Sequence, residues 1–106
     1  MIVEIKPSPL KNKRLRVYLT NGKTYDFGFK GGSTYIDHHN EQLRLNYIKR
    51  HGGNVKEAYL IHNLIPSPAL FSMYLLWGKS TDLNENVKYL NEKFSEKEYK
   101  FSKLKN

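Results

Sequence analysis

The sequence predicts an α+β domain: an N-terminal antiparallel sheet of two or three strands packed on three or four helices. Two observations carry that expectation. Residues 14–20 alternate strictly in polarity and run into Asn21-Gly22, the strongest short-range signal for a hairpin. From Ile36 onward the apolar spacing becomes helical, and strands that precede helices argue against βαβ units.

The first strand is expected at residues 2–6, which are short and β-branched, with Pro7-Ser8-Pro9 breaking it and a basic loop at 10–13. In the second strand Leu15, Val17 and Leu19 share one face, and Arg16, Tyr18 and Thr20 share the other. The return strand is expected at 23–29. A two-residue turn would pair Thr20 with Lys23, Tyr18 with Tyr25, Arg16 with Phe27 and Arg14 with Phe29. That register sets arginines among aromatic rings on one face, with a bulge near Gly28 as the device that could turn Phe29 away.

Asp37 or His38 is the expected cap of a helix over about 40–51, with Leu43, Tyr47 and Ile48 as its inner stripe. Gly52-Gly53 stops it, since glycine tolerates the left-handed C′ position. A short helix is read at 55–62. Ser67-Pro68 supplies a capping hydroxyl and a proline at the first helical position, so the nearly all-apolar segment 69–77 reads as the central buried helix. Trp77 is expected in the core at its end, and Gly78 terminates it. The last helix is expected to start at Ser80 or Thr81, with Leu83, Val87, Leu90 and Phe94 at helical spacing. Residues 1–95 form one domain by length, and 96–106 read as a basic, mobile extension.

A chain of 106 residues with 39% hydrophobic and 13% aromatic content can bury a modest core. It has no cysteine, which removes disulfides, thiol nucleophiles and Cys-based zinc sites. The start of the chain lacks the pattern of a signal peptide, and the longest apolar stretch, 69–77, is too short to span a bilayer. The expectation is a soluble, intracellular protein without membrane contact.

Two blocks of residues carry a family resemblance. One is Phe27-Gly28-Phe29-Lys30-Gly31, then Tyr35, then Arg44, Tyr47 and Arg50-His51; the other is Ser67-Pro68 leading to Leu75-Leu76-Trp77-Gly78-Lys79-Ser80-Thr81 and a helix ending near Phe94. Over about residues 25–95 the chain resembles a family of small uncharacterised proteins of nucleocytoplasmic large DNA viruses. It departs from that family after the tryptophan, where relatives carry Asn-Lys-Pro-Thr, and by one extra residue near Asp82. The resemblance implies a viral protein that acts inside an infected cell, in the viral factory or nucleus, or as part of the virion. It implies no enzymatic activity.

The charge points to a partner. The net charge is +8 and the isoelectric point about 9.7. Residues 1–35 hold seven cations (Lys6, Lys11, Lys13, Arg14, Arg16, Lys23 and Lys30) against Glu4 and Asp26 alone. A one-sided excess of this kind attracts polyanions, and aromatic rings beside cations can stack on bases. The sequence therefore predicts a non-enzymatic protein that binds DNA, or RNA, largely without regard to base sequence. The expected contact set is Lys11, Lys13, Arg14, Arg16, Tyr18, Lys23 and Lys30, joined by Arg44 and Lys49. Arg50, beside the apolar stripe, reads instead as a structural arginine holding carbonyls or Asp37. The alternative is a virion structural or host-protein interaction module whose positive face meets an acidic protein surface.

Other constellations are weaker. The helix–Gly52-Gly53–helix segment offers only Lys56 to a groove, which disfavours a helix-turn-helix. His38, His39, His51 and His62 lack the spacing of a metal site, and no cofactor is expected. Gly31-Gly32-Ser33 lacks the Gly-Lys-Ser ending of a phosphate-binding loop.

Overall fold

Strands occupy the first third of the chain and helices the rest. The computed structural model describes the backbone of residues 1–105 and the side chains of residues 1–100. Strands β1 (Ile2–Pro7), β2 (Lys13–Leu19) and β3 (Thr24–Phe29) form one antiparallel sheet in the order β1-β2-β3. Five α-helices follow: α1 (Tyr35–His38), α2 (Glu41–Gly52), α3 (Val55–His62), α4 (Pro68–Phe71), which continues as a π-helical turn over Ser72–Leu76, and α5 (Leu83–Lys105). The architecture is α+β.

The hairpin register differs from the expected one by a single residue. Leu19 N–H donates to the Lys23 carbonyl and Gly22 N–H to the Leu19 carbonyl, both at 3.0 Å. The loop is therefore the three residues Thr20-Asn21-Gly22, closed by Gly22 at φ +85°, a bulged turn that glycine accepts at no steric cost. The slip pairs Val17 with Tyr25, Arg16 with Asp26 and Leu15 with Phe27. A shift of one residue exchanges faces. Leu15, Val17 and Leu19 now lie with Tyr25 and Phe27 toward the core, and Arg16 lies opposite a carboxylate instead of a ring. Sequence spacing could not choose between a two- and a three-residue loop; burial of Val17 and Phe27, both at 0% exposure, decides it.

The core is built where this face meets the α4–π segment and α5. Phe71 packs its ring on Tyr25 (5.6 Å) and Phe27 (5.9 Å). Leu70, Leu75, Leu76 and Leu90 complete the buried centre, and Leu83, Val87 and Phe94 extend it along α5. Ser67 caps α4, accepting from Leu70 N–H at 3.2 Å, with Pro68 at the first position. Helix α3 has the expected bounds.

Four local expectations are corrected. Asn40 caps α2, accepting from Leu43 N–H at 3.1 Å, because His39 takes a left-handed conformation (φ 57°) and separates α1 from α2. Asp37 belongs to α1, where it receives Thr34 N–H at 2.9 Å. Helix α2 packs through half-buried Tyr47 and Ile48, whereas Leu43 is 46% exposed. Its end at Gly52 needs no left-handed residue, since Gly53 keeps φ −80°. Asp82 caps α5, accepting from Asn84 N–H at 2.8 Å, so the helix begins after Ser80 and Thr81. Residues 96–105, read from the sequence as an extension, continue α5; the side chains of residues 101–106 and the backbone of Asn106 lie outside the described residues.

Beyond the π turn the chain is held by two residues. A methyl group on Gly78 would lie 2.1 Å from the Tyr74 carbonyl oxygen, so nothing larger than hydrogen fits. Asn86, fully buried, donates to the carbonyls of Leu75 (3.0 Å) and Ser80 (2.8 Å) and accepts from Ser80 N–H (3.0 Å). Trp77 lies at the rim of the core, half-buried, and not in its centre.

Candidate nucleic-acid interface

The cations divide by what they touch. Arg14 forks Asp37, donating to both carboxylate oxygens at 2.7 Å and to the Thr34 hydroxyl at 3.3 Å. Arg16 forks Asp26 at 2.9 and 3.1 Å, and Ser8 donates to the same carboxylate at 2.6 Å. The Arg16 guanidinium holds the Asp26 carboxyl below the usual carboxylate range, and that of Arg14 holds Asp37 further below it. Arg44 donates to the carbonyls of Gly78 (2.8 Å) and Trp77 (3.1 Å) and to Glu41 (3.2 Å). These three arginines tie sheet, α1, α2 and the loop after the π turn together. Arg14 and Arg16 form bidentate carboxylate pairs, which are hard to displace, while Arg44 is held by two carbonyls and a single contact to Glu41. The carbonyl-holding role expected of Arg50 belongs to Arg44, and the pairing with Asp37 belongs to Arg14.

The lysines behave differently. Lys11, Lys13 and Lys30 are exposed, and their side chains make no ion pair with any described residue. Lys13 is the cross-strand partner of Phe29, and Lys30 N–H donates to the Asn12 carbonyl at 3.2 Å. The backbone thus gathers the three at one end of the sheet. Lys23 sits at the opposite, turn end, about 20 Å away along strands that rise about 3.3 Å per residue. Tyr18 stands on the polar face with Lys6 5.8 Å above its ring, next to the Arg16–Asp26 pair. Lys49 and Arg50 are exposed on α2, the Arg50 guanidinium lying 5.8 Å from the Tyr47 ring.

A groove of about 510 Å³ runs between Lys13 and Arg50; Phe29, Tyr47, His51, Glu57 and Trp77 line it as well. One wall is a column of rings. His51 lies on Tyr47 (4.1 Å), Tyr47 on Trp77 (4.2 Å), and Trp77 against His38 (5.4 Å). His51 Nδ1 is hydrogen-bonded to Glu57, which clamps α2 to α3. Burial pushes the Tyr47 hydroxyl up to about 12. His38 Nδ1 accepts from Asn40 N–H at 2.9 Å, which in the neutral ring leaves the hydrogen on Nε2, buried between the rings of Tyr35 and Trp77. Sequence reasoning missed Arg50 and Phe29 as groove residues. The signal was Gly28-Phe29 at the end of the strand: the register runs on from buried Phe27 to Phe29, which lies past the core and is 76% exposed.

A second cationic region lies on α5 and the loop before it, where Lys79 and Lys93 flank the Tyr89 ring at 4.6 and 5.4 Å. The hydrogen bond from Lys79 draws the Tyr89 hydroxyl below its ordinary value. Glu96 lies 3.8 Å from Lys93, and Lys97 donates to the Asn63 carbonyl at 2.7 Å, so this region is the more neutralised of the two. Among the described residues no three His, Asp or Glu side chains converge to hold a metal, and no helix is long and apolar enough to cross a membrane.

No curated protein and no solved structure matches the chain. The span that matches a known family takes in the sheet from Val3 onward, the Arg14–Asp37 pair and α2 as far as His51: residues 3–51 are similar to a family of unknown function, DUF5754.

Proposed function

We propose that this chain is a non-enzymatic protein that binds nucleic acid, DNA first and RNA as the alternative, without reading base sequence. What supports the reading is the group Lys11, Lys13 and Lys30, drawn together by the β2–β3 pairing with no carboxylate at ion-pair distance among the described residues, and faced across the groove by Arg50, whose chain neighbour Lys49 is also exposed. Cations without local partners exchange condensed counterions for phosphates, and that exchange supplies most sequence-independent affinity. Arg14, Arg16 and Arg44 leave the contact set because each is already occupied. Five engaged cations give a log–log salt slope of roughly −4.5 on duplex DNA. The test is a binding titration across salt concentrations with duplex DNA, and heparin as the control for unspecific polyanion affinity. A slope near zero overturns the reading.

The two residue blocks that resemble proteins of large DNA viruses support placing the protein in an infected cell, at the viral factory or nucleus, or in the virion. A second reading, a virion or host-protein interaction module, is favoured by one observation: Val55 and Tyr59 on α3 are 85% and 61% exposed. Exposed apolar and aromatic side chains of this kind are common at protein interfaces. Pull-down from infected-cell lysate with and without nuclease separates the two, since partners that survive nuclease favour the second.

A further inference from the structure

The geometry points to single-stranded nucleic acid as the ligand, with one unpaired base stacked on the ring of Phe29; this rests on the nucleic-acid reading above. A phenylalanine in a strand that packs a core face is expected inside. Phe27 obeys, at 0% exposure, and Phe29, two residues on, is 76% exposed. The backbone enforces the difference. Phe29 ends β3 beyond the last core ring, and Gly28 fixes the path to it: at φ +78°, with a methyl group there 2.8 Å from Leu76 Cδ1, only glycine fits. Behind the ring the chain folds back tightly, Gly32 N–H donating to the Phe29 carbonyl at 3.0 Å. Phe29 is therefore held outward on a braced turn.

Its surroundings select the ligand. Lys13 is its cross-strand partner and Lys30 its chain neighbour, so cations flank an apolar ring face. That pairing matches a nucleotide, whose phosphate is anionic and whose base offers a π-face. It does not match an apolar protein surface, against which the ammonium groups would be desolvated without a partner. Duplex DNA offers phosphates alike, yet its base faces are stacked on one another and closed to Phe29. The groove that begins at Phe29 leads to Arg50 and the Tyr47–Trp77 rings, a path that a flexible strand could follow.

The experiment is fluorescence anisotropy on the full chain, with labelled oligothymidine and an A·T duplex of equal length, for wild type, Phe29→Ala and Phe29→Trp. Expected are tighter binding of the single strand, a loss of about tenfold on it for Phe29→Ala with the duplex changed by less than about twofold, and recovery in Phe29→Trp. Equal losses on both ligands, or no loss on the single strand, overturn the stacking inference while leaving the nucleic-acid reading in place. Wild-type protein that binds neither ligand at low salt overturns both. Thermal melting of each variant checks that the fold is kept, and Phe29→Leu, apolar but without a π-face, carries the same expected loss on the single strand if the alanine variant melts early.

Discussion

The ring of Trp77 lies on that of Tyr47, with centroids 4.2 Å apart and planes within 5° of parallel. The contact joins the loop after the π turn to α2, a helix with no fully buried residue of its own. Rings stacked at a rim supply both apolar burial and orientation. Replacing Trp77 by alanine is expected to cost about 2 kcal/mol, less than truncation of a fully buried tryptophan. Urea unfolding followed by circular dichroism measures it, and a cost below about 0.5 kcal/mol would mean that α2 is held by other contacts.

The same burial makes the Tyr47 hydroxyl the group to watch at high pH. Its value rises from 10.0 to about 12, because desolvation disfavours the phenolate. The folded state thus holds this proton longer than the unfolded one. The associated stability is intact below about pH 10 and is lost as the pH climbs toward 12. Absorbance titration of tyrosinate should show one tyrosine ionising last, and that late step should vanish in Tyr47→Phe.

Asp37 acts at the other end of the pH scale. The Arg14 fork and the Thr34 hydrogen bonds favour its charged form. Its stabilisation is present above the ordinary carboxylate value of 3.8 and is lost as pH falls through the lower folded value. The pair is partly exposed, so Asp37→Asn should cost only about 1 kcal/mol at neutral pH. Melting temperatures from about pH 5 down to about pH 2 should converge for wild type and Asp37→Asn; parallel curves would show that the pair is not formed in solution.

Gly78 and Asn86 form one device. Gly78→Ala drives a methyl group into the Tyr74 carbonyl and is expected to cost about 3 kcal/mol or to prevent folding. Asn86→Ala leaves the Leu75 and Ser80 carbonyls without their donor and should cost about 2 kcal/mol. Denaturant midpoints decide the matter, and tolerance of both changes would refute the close approach of the π turn to α5.

The division between lysines and arginines is testable on binding. Replacing Lys11, Lys13 and Lys30 together by alanine should flatten the salt slope by about 3 with little change in melting temperature. Arg16→Ala should lower stability and leave the slope unchanged. If the arginine variant changes the slope and the lysine variant does not, the contact set is the reverse of the one proposed.

Much of the fold was legible because local signals agree with tertiary packing. Ser67-Pro68 begins a helix wherever it is placed, and the 55–62 helix lies between its own cap at Asn54 and Asn63. The hairpin was legible and its register was not, since Asn21-Gly22 suits both loop lengths. A run of cations was equally legible, but which of them stay unpaired depends on Asp26 and Asp37, and Asp37 lies 23 residues from Arg14.

By itself the sequence determined that this protein is α+β, strongly cationic toward its N-terminus and unable to form disulfides. These properties follow from alternation, helical spacing and composition, which are local or additive. Only the tertiary structure decided that the arginines serve as internal braces, that three lysines meet at one sheet end, and that Phe29 faces solvent while Phe27 is buried. Such outcomes depend on which distant side chains reach hydrogen-bond distance and on where the core ends along β3, features that exist only once the chain is packed.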